Sequence, residues 1–97
     1  MNPLTLPEIR ELSRDLPSWK RRGVVLRRTF EFADFLQAMK FVNSVARAAE
    51  KAQHHPDIDI RWNRVQLALT THDAGGLTKK DFDLAGRANR LAESLQS

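Results

Sequence analysis

The chain contains no cysteine. Disulfides, thiolate metal sites and cysteine nucleophiles are therefore excluded. It also lacks any apolar stretch approaching the roughly 20 residues that a bilayer span needs. Its first residues, Met1-Asn2-Pro3-Leu4, show no basic region followed by an apolar one. A cytoplasmic protein without membrane association is the expectation. No G-x-S-x-G is present, and Ser44 falls inside a helical pattern, which argues against a serine hydrolase. Three histidines and an aspartate are suitable ligands for zinc or non-haem iron. However, no HxH, HxxxH or HExxH spacing places two imidazoles on one face, and adjacent histidines rarely chelate one ion together, so no metal is expected.

With 97 residues, the chain suits one compact domain spanning 1–97, because small domains bury a limited share of their surface and a second core would have too little. Hydrophobic residues at 41% and charged residues at 29% fit a folded globular protein rather than a disordered one. The net charge of +4 is concentrated in Lys20-Arg21-Arg22 and Arg27-Arg28, without a repeating basic-aromatic pattern. That distribution describes a solvated basic surface, or one attracting an anionic ligand or partner, better than a nucleic-acid site.

Thr5-Leu6-Pro7-Glu8 reads as a helix start, with Thr5 as N-cap, proline in the first turn and Glu8 completing a capping box. This first helix should run to about Leu16, with Pro17 beyond it. From Trp19 to Phe32 an imperfect alternation follows, with Val24, Leu26, Phe30 and Phe32 on one side and Gly23 turning a hairpin. Arg28 interrupts the apolar face, as expected of an edge or strand-end position. From Asp34 the period becomes helical, with a stripe of Phe35, Met39, Val42, Ala46 and Ala49 ending near Lys51 or Ala52. Asp57 to Trp62 and Val65 to Thr71 alternate strictly and form a second hairpin about Asn63-Arg64. After Asp73-Ala74-Gly75-Gly76, Thr78 caps a last helix with Leu84, Ala88, Leu91 and Leu95 on its apolar stripe. The order α-β-β-α-β-β-α predicts a two-layer α+β fold, a four-stranded antiparallel sheet with three helices on one face. Its exposed edges suit pairing with another copy.

All three histidines lie at ends of elements. With a hairpin symmetrical about Asn63-Arg64, residue 62 faces 65 and the extrapolated partner of His55 is His72. Cross-strand Cβ atoms lie about 5 Å apart, close enough to bracket one small ligand. His54 points differently but leaves the same helix end. Asp81, in the first turn of the last helix, can reach this end of the sheet, although its plainest role is to complement the helix dipole. Trp19 and Trp62 are read first as packing residues, Trp62 because it continues the Ile58-Ile60 face.

Glu50, His54-His55-Pro56, Trp62, Thr71-His72-Asp73, Gly75-Gly76-Leu77-Thr78 and Asp81 together resemble the signature of the pterin-4a-carbinolamine dehydratases. The likeness extends from about Trp19 to Ala85 and includes Phe30-Glu31-Phe32, Phe41-Val42 and Ala48-Ala49-Glu50. It implies a four-stranded antiparallel sheet with three helices, a homodimer or homotetramer, and no metal or redox cofactor. The implied reaction is a hydro-lyase step, loss of water from 4a-hydroxytetrahydrobiopterin to give quinonoid dihydropterin. That product is then reduced in tetrahydrobiopterin recycling. The resemblance puts the pocket histidines on His54, His55 and His72 and the pocket aspartate on Asp81. Glu50 matches an acidic position near the pocket, and Trp19 a tryptophan that can line it. The residue before the histidine pair is acidic in some members and is Gln53 here, which can hydrogen-bond a pterin edge but carries no charge.

Dehydration requires a proton delivered to the leaving oxygen and one removed from the adjacent ring nitrogen, work suited to histidines near neutral pH. One acid and one base among His54, His55 and His72 are expected, with His54 or His72 transferring the proton and His55 positioning the ring. The alternative is a non-enzymatic pterin-binding or protein-partner module, since animal members of the family also serve as dimerisation partners of a homeodomain transcription factor.

Overall fold

A computed structural model describes residues 2–96. Helix α1 (Leu6–Ser13) begins with a complete capping box. The Thr5 hydroxyl accepts from the Glu8 N–H, and the Glu8 carboxylate accepts from the Thr5 N–H at 2.8 Å. The Thr5 N–H and the Thr5 hydroxyl, both donating to the carboxylate, hold the Glu8 carboxyl below its ordinary pKa. The helix stops at Ser13, earlier than periodicity indicates, and successive turns carry the chain to the buried Leu16 and Trp19.

Strands β1 (Lys20–Arg22) and β2 (Val25–Glu31) are joined through Gly23, whose φ of +58° suits a residue without a side chain. Helix α2 (Phe35–Ala52) starts at Asp34, whose carboxylate accepts from the Gln37 N–H at 2.8 Å. Strands β3 (Asp57–Arg61) and β4 (Arg64–Leu69) form the second hairpin, and a single 3-10 turn (His72–Ala74) leads to helix α3 (Lys79–Gln96). The sheet is antiparallel in the order β1-β2-β4-β3. The expected α+β arrangement is therefore present. Leu26, Phe30, Val65, Leu67 and Leu69 turn toward the helices and join Ala38, Phe41, Val45, Ala49, Phe82, Leu84, Ala85 and Ala88 in one core.

Several local expectations are corrected. Arg28 is not at an edge: it pairs with Leu67 in the middle of β2, an interior strand. Its guanidinium stacks 4.2 Å from the Phe30 ring centroid and donates to Asn89 Oδ1 at 2.5 Å, so the charge leaves the apolar face along a hydrogen bond. Burial pushes its pKa down, with Glu93 acting in the opposite direction. The buried stripe of α2 is Ala38, Phe41, Val45 and Ala49, whereas Phe35 and Ala46 are exposed and Met39 and Val42 half-buried. The second hairpin turns at Trp62-Asn63, one position earlier than the symmetrical reading, because Trp62 adopts φ +53°. Trp62 is 69% exposed at the hairpin tip and does not continue the Ile58-Ile60 face into the core.

Candidate functional site

The end of α2 aims the two adjacent histidines in different directions. Gln53 adopts the left-handed conformation (φ 52°, ψ 44°), and its N–H donates to the carbonyls of Ala49 and Glu50. The His54 N–H also returns to the Ala49 carbonyl at 3.1 Å, completing a Schellman-type ending. After this reversal His54 is buried, 8% exposed, while His55 stays on the surface with its Nε2 bonded to the Glu50 carboxylate.

Asp81 lies in the first turn of α3 with 0% exposure. Its Oδ1 is 2.5 Å from His54 Nε2. Its Oδ2 accepts from the Thr71 hydroxyl at 2.8 Å and from the Thr78 N–H at 2.9 Å. The Thr71 hydroxyl has spent its one proton on Asp81, so the Thr78 hydroxyl, 2.8 Å away, donates to it. A buried carboxylate is tolerable only when donors surround it, and here three converge on two oxygens. As a carboxylate Asp81 can only accept, so His54 Nε2 carries the proton of the shared bond. The second ring nitrogen, Nδ1, makes no hydrogen bond among the described residues and is not sealed from its surroundings.

His54 lines a cavity of 270 Å³ together with Gln53, His55, Thr70, Thr71, His72, Asp73 and Lys80. All three histidines therefore share one wall system, but not through the expected pairing. The observed register, Arg61 with Arg64 and Asp57 with Ala68, carries His55 toward Thr70 and His54 toward Thr71 on extrapolation, leaving His72 in the 3-10 turn. Asp81 stands behind His54 and not on the cavity surface. Glu50 reaches the site only through His55. Trp19 is not brought there: it packs edge-on against Phe30, with ring centroids 5.9 Å apart, and its indole N–H donates to Asn89 Oδ1 at 2.8 Å. Among the described residues no group of three histidine, aspartate or glutamate side chains converges to hold a metal ion.

The sequence profile described as pterin 4 alpha carbinolamine dehydratase matches residues 2–91. The chain belongs to that family. A relative from Acidobacterium capsulatum, provisionally named a pterin-4-alpha-carbinolamine dehydratase, is 57% identical over 91 residues, covering 94% of this chain and 99% of that protein. One from a Roseiflexus species, named likewise, is 56% identical over 84 residues, covering 87% of this chain and 90% of that protein. Among solved structures, a transcriptional coactivator/pterin dehydratase from Brucella melitensis superposes with a TM-score of 0.90 at 36% identity, covering 94% of this chain and 99% of that one. A pterin dehydratase-like protein described as a RuBisCO assembly factor in the alpha-carboxysome shares the fold, with a TM-score of 0.65 at 22% identity over 81% of this chain and 89% of that one.

Within this dehydratase-family fold, residues beyond the histidines and the acid shape the site. Thr71 and Thr78 fix Asp81, and Lys80 is part of the cavity wall. Thr71 is one position before His72 and Thr78 is three before Asp81, so proximity was visible in the chain. Their shared carboxylate was not, because it depends on how α3 docks against the end of β4.

Proposed function

We propose that this protein dehydrates a 4a-hydroxytetrahydropterin, such as 4a-hydroxytetrahydrobiopterin, to the quinonoid dihydropterin and water, in support of tetrahydrobiopterin recycling. The observation that carries this reading is the buried Asp81-His54 pair facing a cavity that also holds His55 and His72. In the reaction the C4a–O bond breaks as the hydroxyl takes a proton and leaves as water. The adjacent ring nitrogen loses its proton, and its electron pair forms the new double bond to C4a. Atoms and electrons balance without a redox partner.

The Asp81 carboxylate fixes the ring orientation of His54 and leaves Nδ1 as its working nitrogen. His72, on the exposed 3-10 turn, lines the same cavity and supplies the second proton-transfer group. His55, tied to Glu50, and Gln53 position the heterocycle at the rim. Such positioned acid-base groups contribute rate factors of roughly 10²–10⁴.

The supporting test is stopped-flow decay of freshly generated 4a-hydroxytetrahydropterin with wild type, His54→Ala and His72→Ala, against the spontaneous rate. Acceleration by wild type that both substitutions suppress, in folded protein, supports the assignment. Decay at the spontaneous rate with wild type overturns it and favours a pterin-binding or partner-binding module, the role suggested by the coactivator description of the Brucella relative.

No helix among the described residues is long and apolar enough to cross a membrane. We also assign a homodimer or homotetramer. Edge strand β3 presents Ile58 and Ile60 with more than a third of their surface exposed, and α2 presents Phe35 and Leu36. Light scattering of wild type and Ile60→Lys tests this: a multimer that the substitution weakens supports it, and a monomeric wild type removes it.

A further inference from the structure

A second, larger cavity adjoins the histidine site. It has a volume of 490 Å³ and lies between the last turn of α2 and the first turns of α3. Ala48, Ala52 and Leu84 supply apolar lining, while Lys51, Lys80 and Arg87 bring three cations against the single acid Asp83. None of the three cations is held in an ion pair among the described residues.

The two cavities are neighbours along the chain. Lys80 lines both. Consecutive residues at the end of α2 are divided between them, Lys51 and Ala52 facing the groove and Gln53 and His54 the histidine cavity. The histidine cavity, at 270 Å³, is slightly smaller than the roughly 300–1,000 Å³ of typical small-molecule sites. A cavity of this size suits the heterocycle, and a bulky substituent would extend beyond it. Exposed lysines on a helix are ordinarily just solvated. Here they share a groove with small apolar residues, beside a site whose ligand can carry a tail.

We propose that this groove binds an anionic substituent, phosphate or carboxylate, on the pterin held in the histidine cavity, making Lys51, Lys80 and Arg87 determinants of substrate choice. The inference rests on the dehydratase reading of the histidine cavity for its reaction, but not for its binding preference. A neutral tail gains little from three cations, whereas an anion is attracted by all of them. Individually exposed pairs are weak, so a combined preference of about tenfold, ~1.4 kcal/mol, is expected. Because the cations are exposed, raising the ionic strength to about 1 M, where the screening length is ~3 Å, should remove most of it.

The test uses tetrahydropterin carbinolamines that differ only in tail, one neutral hydroxyalkyl, one phosphomonoester and one carboxylate, together with the matching stable dihydropterins for calorimetry. Wild type is expected to favour an anionic tail about tenfold in both kcat/KM and Kd, with the two anionic arms showing which anion fits. In the double variant Lys51→Glu/Arg87→Glu the ratio of anionic to neutral should fall to one or below. Lys51→Gln/Arg87→Gln, which removes charge without reversing it, should give an intermediate ratio and guards against a folding defect. Equal binding of all three tails by wild type, or no binding of any, overturns the proposal. Preferential binding of an anionic tail with no accelerated decay of any carbinolamine would leave the groove assignment standing and remove the dehydratase reading alone.

Discussion

His54 Nε2 and Asp81 Oδ1 lie 2.5 Å apart although 27 positions separate the residues in the chain. Both side chains are buried, so the bond joins the C-terminal end of α2 to the N-terminal turn of α3 beneath the cavity. The same carboxylate ties down Thr71 and the start of α3 through its other oxygen. One acid thus fixes both the ring of His54 and the junction of three chain segments.

Asp81→Asn keeps the volume but replaces one accepting oxygen with a donor. The amide must then face either His54 Nε2–H or the Thr71 and Thr78 donors, and at least one pairing is disturbed in either orientation. Stopped-flow turnover should fall by about 100-fold or more. Urea melts should show a loss of about 1–3 kcal/mol. Thr71→Val should reproduce part of both effects, and Thr71→Ser should restore them. Unchanged turnover in Asp81→Asn would remove the positioning role of the acid.

Gln53→Gly separates backbone from side chain at the rim of the cavity. The left-handed conformation at this position costs an L-residue about 1 kcal/mol that glycine avoids, partly offset by the greater freedom of glycine when unfolded. Thermal melts should therefore show unchanged or slightly raised stability. Calorimetry should show weaker pterin binding, because the amide is gone. A stable variant with unaltered affinity would assign Gln53 to helix termination only.

Asn89 accepts from both Trp19 Nε1 and the Arg28 guanidinium through one oxygen. Asn89→Leu leaves both donors without that acceptor, one of them charged. A stability loss of about 2–3 kcal/mol in urea is expected. Because this cluster does not line the histidine cavity, kcat should stay near the wild-type value. A large fall in kcat with intact stability would show that the two regions are coupled.

The Glu8 carboxyl has its pKa lowered by the hydrogen bonds it accepts from Thr5. A depressed folded-state pKa means that its contribution is present above the ordinary glutamate pKa and disappears as pH falls through the lowered value. Melting temperatures of wild type and Glu8→Gln should accordingly differ at neutral pH and converge in acid. Parallel pH profiles would indicate that the charge of Glu8 adds nothing to the cap.

The elements whose signals are local were legible in the chain. The Thr5-Glu8 capping box, the Gly23 turn and the alternating second hairpin each depend on neighbours within a few residues. The convergence of His54, His55, His72 and Asp81 near one end of the sheet was also legible, with the resemblance naming the same residues. The exact pairing was not. A tryptophan at positive φ is an unusual hairpin residue, and its choice over Asn63-Arg64 moved the register by two positions. Arg28 misled for a different reason: its apolar stem and charged tip satisfy different surroundings, and its acceptor Asn89 lies 61 positions away. The α2 stripe was misplaced because that helix carries apolar residues on two adjoining faces, and periodicity alone does not say which meets the sheet.

The positions of the two tryptophans give the protein an internal pair of optical reporters. Trp19 is shielded in the core beside Phe30, whereas Trp62 stands in solvent at the tip of the second hairpin. Their emission should differ in wavelength and in access to a dissolved quencher. In Trp62→Phe the remaining fluorescence would come from Trp19, so a spectral change would follow opening of the core, while the native chain's quenchable fraction would register anything that covers the hairpin tip.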